Sequence, residues 1–261
     1  MSTTMTTTID MKRSPVPLSR MVRAELRKMF DTRSGFWLLM SVAIVALLAT
    51  AAVIIFAGDA DQRYANFSGA IGFPLAVILP IIAILSVTGE WSQRTGLITF
   101  TLVPHRGQLI WAKAIAAVIV GVASVLVAFA IGAVGNIVGA SFAGVDTVWD
   151  VSFVSFLQIT LGMVLGMVVG FMLGLLIRHS AGAIVAYFAY SFLLPTIFAI
   201  LAGLQDWFKD IQPWVDFNFA QAKLFDSISG EGWAQLGVSG FIWLVLPLTV
   251  GAWAVLRSEV K

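Results

Sequence analysis

The sequence predicts an all-α, polytopic membrane protein with six transmembrane helices, an amphipathic N-terminal interfacial helix, and both termini cytoplasmic. Three observations predict it. The 261 residues are 59% hydrophobic and only 11% charged, with a mean hydropathy of +0.93; a soluble domain carries about 25% charge, so this exterior suits lipid better than water. Six apolar runs recur along the chain, each near the roughly 17–25 residues that cross hydrocarbon as a helix. They lack the alternation of barrel strands, and lipid admits only helices or closed barrels because it cannot satisfy backbone polar groups. Finally, with the N-terminus inside, the inner segments hold thirteen Lys and Arg, against three (Arg63, Lys209 and Lys223) in the outer ones. That bias marks cytoplasmic loops, and an even number of spans returns the C-terminus to the same side.

The elements follow in order. Residues 1–17, opening "MSTTMTTTIDMK", are polar and repetitive and read as a disordered cytoplasmic tail. Next, "PLSRMVRAELRKMF" places Leu18, Val22, Leu26, Met29 and Phe30 at three- and four-residue spacing, with Arg20, Arg23, Arg27 and Lys28 largely between them. This pattern predicts an amphipathic helix with Ser19 as its N-cap, suited to the headgroup layer of an anionic membrane. Anchoring the topology is its simplest role; holding a cytoplasmic partner is the sharper one. The first span, about residues 36–57, carries no charge and exceeds the 7–15-residue core of a signal peptide, so it is expected to be retained. The others lie near 69–89, 114–140, 151–177, 181–203 and 234–256, with a cytoplasmic tail at 258–261. Pro74 and Pro80 in the second span and Pro247 in the sixth each remove a donor and crowd the preceding turn, which predicts bent helices.

Within the fourth span, Gly162, Gly166, Gly170 and Gly174 repeat every four residues. A face without side chains lets another backbone approach closely, at some cost in helix preference. Packing within the bundle is the first reading and a dimer or moving seam the second; no Lys-Ser or Lys-Thr follows, so no phosphate loop is implied. Asn136, Gln158 and Thr160 are polar residues within apolar spans, placed to bond across the bundle or to line a pathway. His105 and His179 fall on separate short inner loops and do not supply the three or four converging ligands of a metal site. The chain has no cysteine, which excludes disulfides, and its formal charge of +2 is too small to indicate nucleic acid. The outer segment, residues 204–233, holds Trp207, Phe208, Trp214, Phe217, Phe219 and Phe225, aromatics expected to anchor a short helix at the outer leaflet.

The inner segment over residues 89–113 reads "GEWSQRTGLITFTLVPHRGQLIWAK". It is too short for a catalytic domain and too apolar for a solvated loop, so it is expected to be covered, by the bundle, the headgroups or another protein. Together with the basic "RAELRKMFDTRSGFWLL" ahead of the first span and the six-span layout with a long segment before the last span, it resembles the permease subunits of ABC-2-type ATP-binding-cassette transporters across residues 18–257. The resemblance implies a multi-pass protein of a bacterial plasma membrane, with a coupling helix in this segment that docks on a separate ATPase subunit. Carried over by position, Glu90, Arg94, Thr95, Pro104, Arg106 and Lys113 are the coupling residues. The resemblance also implies ATP and magnesium on the partner rather than here, a second permease chain (identical or homologous), contact with membrane lipid, and export of a cargo the sequence does not identify. No large extracellular domain is present, which departs from members that pass cargo to a periplasmic adaptor. A secondary transporter would be expected to show inverted repeats or intramembrane ionisable groups; a non-transporting scaffold is the other alternative.

Overall fold

The computed structural model describes residues 16–92, 106–226 and 228–257. Helices dominate them, with one isolated parallel bridge between Arg63 and Val148. The order is α1 (Leu18–Asp31), α2 (Arg33–Phe56), α3 (Tyr64–Ser92), α4 (Arg106–Ala143), α5 (Phe153–Ile177), α6 (Ser180–Leu204), α7 (Asp206–Val215), α8 (Phe217–Ala222) and α9 (Gly230–Arg257). Six of these, α2, α3, α4, α5, α6 and α9, are long and apolar enough to cross a membrane. The protein is therefore a polytopic membrane protein.

The α1–α2 corner turns on one residue. Thr32 is extended (φ −86°, ψ 140°), and its hydroxyl accepts from Gly35 N–H at 3.1 Å, capping α2. A Cβ on Gly35 would collide with the Met29 carbonyl oxygen, so the tight corner requires glycine there. Ser19 is not the cap of α1. The helix begins one residue earlier, behind extended Pro17 (φ −64°, ψ 142°), whose carbonyl accepts from Arg20 N–H at 3.0 Å. The proline ring fixes φ and leaves no donor, so the chain enters the helix directly after it.

The buried face of α1 also differs from the expected stripe. Met21 and Glu25 are buried, Val22, Leu26 and Met29 are half-buried, and Leu18 and Phe30 remain exposed. The helix thus turns an acid onto the bundle at the centre of its contact with α2 and α4.

The interior is built on α3 and α5, the most extensively packed pair, with α2 and α4 on one side and α6 and α9 on the other. Leu75, Leu79, Val87, Met167 and Leu175 form its fully buried centre. Outward positions such as Leu48, Ile55 and Val185 stay exposed, the apolar exterior that lipid requires. At 38 residues, α4 is about 57 Å long, well beyond a hydrocarbon core of about 30 Å. It starts at Arg106 rather than near residue 114, so the end of the expected inner segment is helical.

The α6–α9 connection turns inward. Asp216 caps α8 by accepting from Phe219 N–H at 3.1 Å, and Phe217 and Ala220 bury in a cluster with Ile84, Val169 and Leu224. Phe208 is buried as well, so only part of the aromatic set, including Trp207 and Phe219, is exposed as interfacial anchors would be. Both flanking spans carry a π segment, Ala189–Leu193 in α6 and Phe241–Val245 in α9. Each ends two residues before a proline, Pro195 or Pro247, where the missing donor loosens the ordinary ladder. The segments meet through Tyr190 and Trp243, with ring centroids 5.9 Å apart.

Candidate functional site

Polar groups gather at the end of the bundle where α1, the end of α3 and the start of α4 meet. Lys113 Nζ donates to Glu25 Oε2 at 2.6 Å, with both side chains only 8% exposed. The other carboxylate oxygen accepts from Lys28 Nζ at 2.7 Å, one turn along α1. Lys113 also reaches the Ser86 carbonyl of α3 at 3.4 Å. One ammonium therefore ties together α1, α3 and α4. Burial pushes the Glu25 carboxyl up, but the Lys113 ammonium, with Lys28 behind it, outweighs burial and holds it below the ordinary carboxylate range. The acid stays ionised at neutral pH, and removing one partner of a buried pair costs up to about 3–5 kcal/mol, less where a second cation such as Lys28 remains.

A cavity of about 380 Å³ opens beside this pair, lined by Glu25, Lys28, Ser34, Ser86 and Lys113 together with apolar Leu38, Ile82 and Leu85. Nearby, Thr88 is fully buried and its hydroxyl pairs with Ser180 at 2.8 Å, joining the end of α3 to the start of α6. The α5–α6 turn pivots on Arg178 in the left-handed region (φ 55°), and His179 caps α6 by accepting from Gly182 N–H at 3.1 Å. That histidine closes a helix end.

Of the residues carried over as coupling positions, Lys113 is the one whose side chain is described, and it faces inward to Glu25. Glu90 lies in the last turn of α3 and Arg106 begins α4, both described as backbone alone; Arg94, Thr95 and Pro104 lie outside the described residues. On α1, Arg20, Arg23 and Arg27 are exposed, whereas Lys28 bends back to Glu25.

The glycine row runs along a second polar-poor contact. A Cβ on Gly170 would lie 2.5 Å from the Pro80 carbonyl oxygen, and one on Gly174 would lie 3.3 Å from Val87 Cβ, both on α3. One on Gly162 would meet the Phe225 ring at 2.7 Å, whereas Gly166 has 3.6 Å to its nearest neighbour. The apolar-span polar residues are held separately. Asn136 is fully buried and donates to the Val148 carbonyl at 2.9 Å, Thr160 bonds back to its own helix at Phe156, and Gln158 is half-buried on α5.

Sequence reasoning missed Glu25. The available signal was its position: an acid between Met21, Val22, Leu26 and Met29 on the apolar stripe of an otherwise basic helix. A lone cation at the start of a span, Lys113, was the matching half. Among the described residues no group of three or more His, Asp or Glu could hold a metal ion.

No curated protein matches the chain at a significant level. A family described as "ABC-2 family transporter protein" matches residues 21–194. The match takes in the Glu25–Lys113 pair, the glycine row and the first π segment, and extends over more than half of the chain. This protein therefore belongs to the ABC-2 transporter family, as a multi-pass permease rather than an enzyme.

Proposed function

We propose that the chain is the transmembrane subunit of an ATP-driven exporter, working as one of two permease chains above a separate ATPase that binds ATP and magnesium. Family membership over residues 21–194 carries the reading. It is supported by the absence from the sequence of any GxxxxGK[ST] run that would bind nucleotide. Glu90, Arg94, Thr95, Pro104 and Arg106 then form or flank the surface that meets the ATPase. Lys113 serves behind them as a positioning residue: through Glu25 and the Ser86 carbonyl it makes α1 move with the last turns of α3 and the start of α4. Alternating access needs such a rigid link, because a docking event must shift packed helices as units.

The same reading puts both termini in the cytoplasm, with α1 at the inner headgroup layer and the α6–α9 connection outside. Basic residues support it by thirteen to three. Since the chain has no cysteine, single cysteines can map it. Exposed Asp146 and Asp210 replaced by Cys should react with an impermeant thiol reagent in intact cells, and exposed Arg257 replaced by Cys should not. The reverse pattern would invert the orientation.

Purification of the tagged complex from its native membrane tests the function itself. It should recover a subunit with a nucleotide-binding loop, and the complex should hydrolyse ATP. A purified chain that moves cargo under an ion gradient with no such subunit would favour a secondary transporter instead.

A further inference from the structure

A second cavity, of about 230 Å³, lies among α3, α5, α6 and α8. Residues 73–77 of α3, 162–169 of α5 and 187–192 of α6 contribute its walls, which places it near the middle of three spans. Small residues open it. Gly166 leaves room on α5, since even an added Cβ there would keep 3.6 Å to its nearest neighbour, and Ala222 lines it from α8. Phe73 and Phe192 line it and are also exposed on the outside of the fold. The cavity therefore opens sideways, toward the apolar exterior that lipid covers.

The polar side chains of the wall are engaged with the wall itself. Gln221 Nε2 donates to the Gly162 carbonyl at 2.7 Å, and the Tyr187 hydroxyl donates to the Ala76 carbonyl at 2.7 Å. The Asn218 amide donates to the Tyr190 backbone carbonyl at 3.3 Å. The Tyr190 hydroxyl is buried beside the Asn218 side chain and does not open into the space. None of the lining residues is charged. Water is held in a buried site by roughly two to four polar partners, whereas an apolar cavity of about 150 Å³ stays dry and admits benzene. This cavity is of the second kind, and larger.

We propose that this cavity is a lipid site, which receives one acyl chain of a bilayer phospholipid from the side while the headgroup stays outside. A charged or hydrogen-bonding group would be stranded among walls that offer it no partner at membrane depth. Left empty, the lining would forfeit its dispersion contacts on that side. Acyl chains are the medium at this depth, and a flexible hydrocarbon can pass between Phe73 and Phe192 to fill the space over Gly166. The chain then lies against Phe225 and steadies the inward-turned α8 segment. The site belongs to this protein and its bilayer, so it does not depend on the ATPase of the transport reading.

The test uses the full chain in phosphatidylcholine nanodiscs and two photoactivatable phosphatidylcholines, one with a diazirine near the end of an acyl chain and one with it on the headgroup. The acyl probe should form adducts on Met163, Val169 and Tyr187, which line the cavity yet are buried from the exterior. It should also label exposed Leu48 and Ile55, and the headgroup probe should leave the buried three unlabelled. Gly166→Leu and Ala222→Leu each place bulk in the space from a different wall. In either variant the adducts on the buried three should be lost while those on Leu48 and Ile55 persist, with the melting temperature reporting that the variant is folded. Wild-type protein without the three buried adducts, labelling of them by the headgroup probe, or their survival in a folded variant would each overturn the site. In the complete ATPase complex, adducts that persist when ATP is added support a resident lipid. Adducts that ATP removes would mark the chain as passing cargo and overturn that assignment.

Discussion

Two contacts hold different faces of α3 by different physics. At the α1–α3–α4 end, a buried glutamate and lysine bridge three elements across 2.6 Å. Along the α3–α5 interface, glycines let backbones touch, with Pro80 directly over Gly170. The first contact depends on charge and is indifferent to a lost methyl group. The second depends on volume and is indifferent to pH. A charge pair is directional and can be broken by competition, which suits a place where a partner's movement arrives. Backbone contact is close-packed and shifts only between discrete arrangements, as an element proposed to carry movement across the membrane would need.

The largest expected effect breaks the first contact. Lys113→Ala or Glu25→Ala should lower stability by up to about 3–5 kcal/mol, since each removes half of a buried pair, and Lys113→Ala should cost the less because Lys28 still holds Glu25. Replacing both together, Glu25→Leu with Lys113→Met, should recover most of that loss. Thermal unfolding in detergent measures all three. Should the double variant be as unstable as either single one, the pair is not acting through mutual charge.

On the second contact the effect is smaller and depends on position. Gly170→Ala forces a Cβ into the Pro80 backbone, which cannot yield as a flexible side chain would, and overpacking of this kind costs about 1–3 kcal/mol. Gly166→Ala meets only ordinary contact at 3.6 Å and should change stability by less than about 0.5 kcal/mol. Equal melting temperatures for the two variants would remove the distinction between close and open positions on the row.

Acid separates the two contacts with the smallest shift. The folded Glu25 carboxyl sits below its ordinary value of 4.5, so its contribution is complete above that value and is lost as pH falls through the lower folded one. Between about pH 5 and pH 3 the wild type should lose more stability than Glu25→Gln, which has no proton to take up there. Parallel pH–stability curves for the two would show that the carboxylate contributes nothing by its charge.

The sequence made the spans legible because hydropathy needs no knowledge of contacts: every apolar run became a crossing helix, with ends displaced by a few residues. Its periodicity found α1 but not its orientation. A helical stripe of Leu18, Val22, Leu26 and Phe30 is as regular as one centred on Met21 and Glu25, and only Lys113, 88 residues away, selects between them. The inward turn at Phe217 was hidden for a similar reason, since an aromatic looks the same as a membrane anchor or as core. The four-residue glycine repeat did announce a contact face, but not that Pro80 and Phe225 are what it meets. The π segments have no clear single-sequence signal beyond the prolines that follow them.

The central claim is that the end built around Glu25 and Lys113 receives ATP-driven movement from a partner. Its most direct test exchanges residues 92–106 for a flexible polar linker of equal length and leaves the ion pair intact. Thermal unfolding, ATPase binding and cargo-dependent hydrolysis are then measured on one preparation. The account predicts a chimera that unfolds near the wild-type temperature but has lost the ATPase or its stimulation. A folded chimera that binds the ATPase and hydrolyses ATP as the wild type does would contradict it.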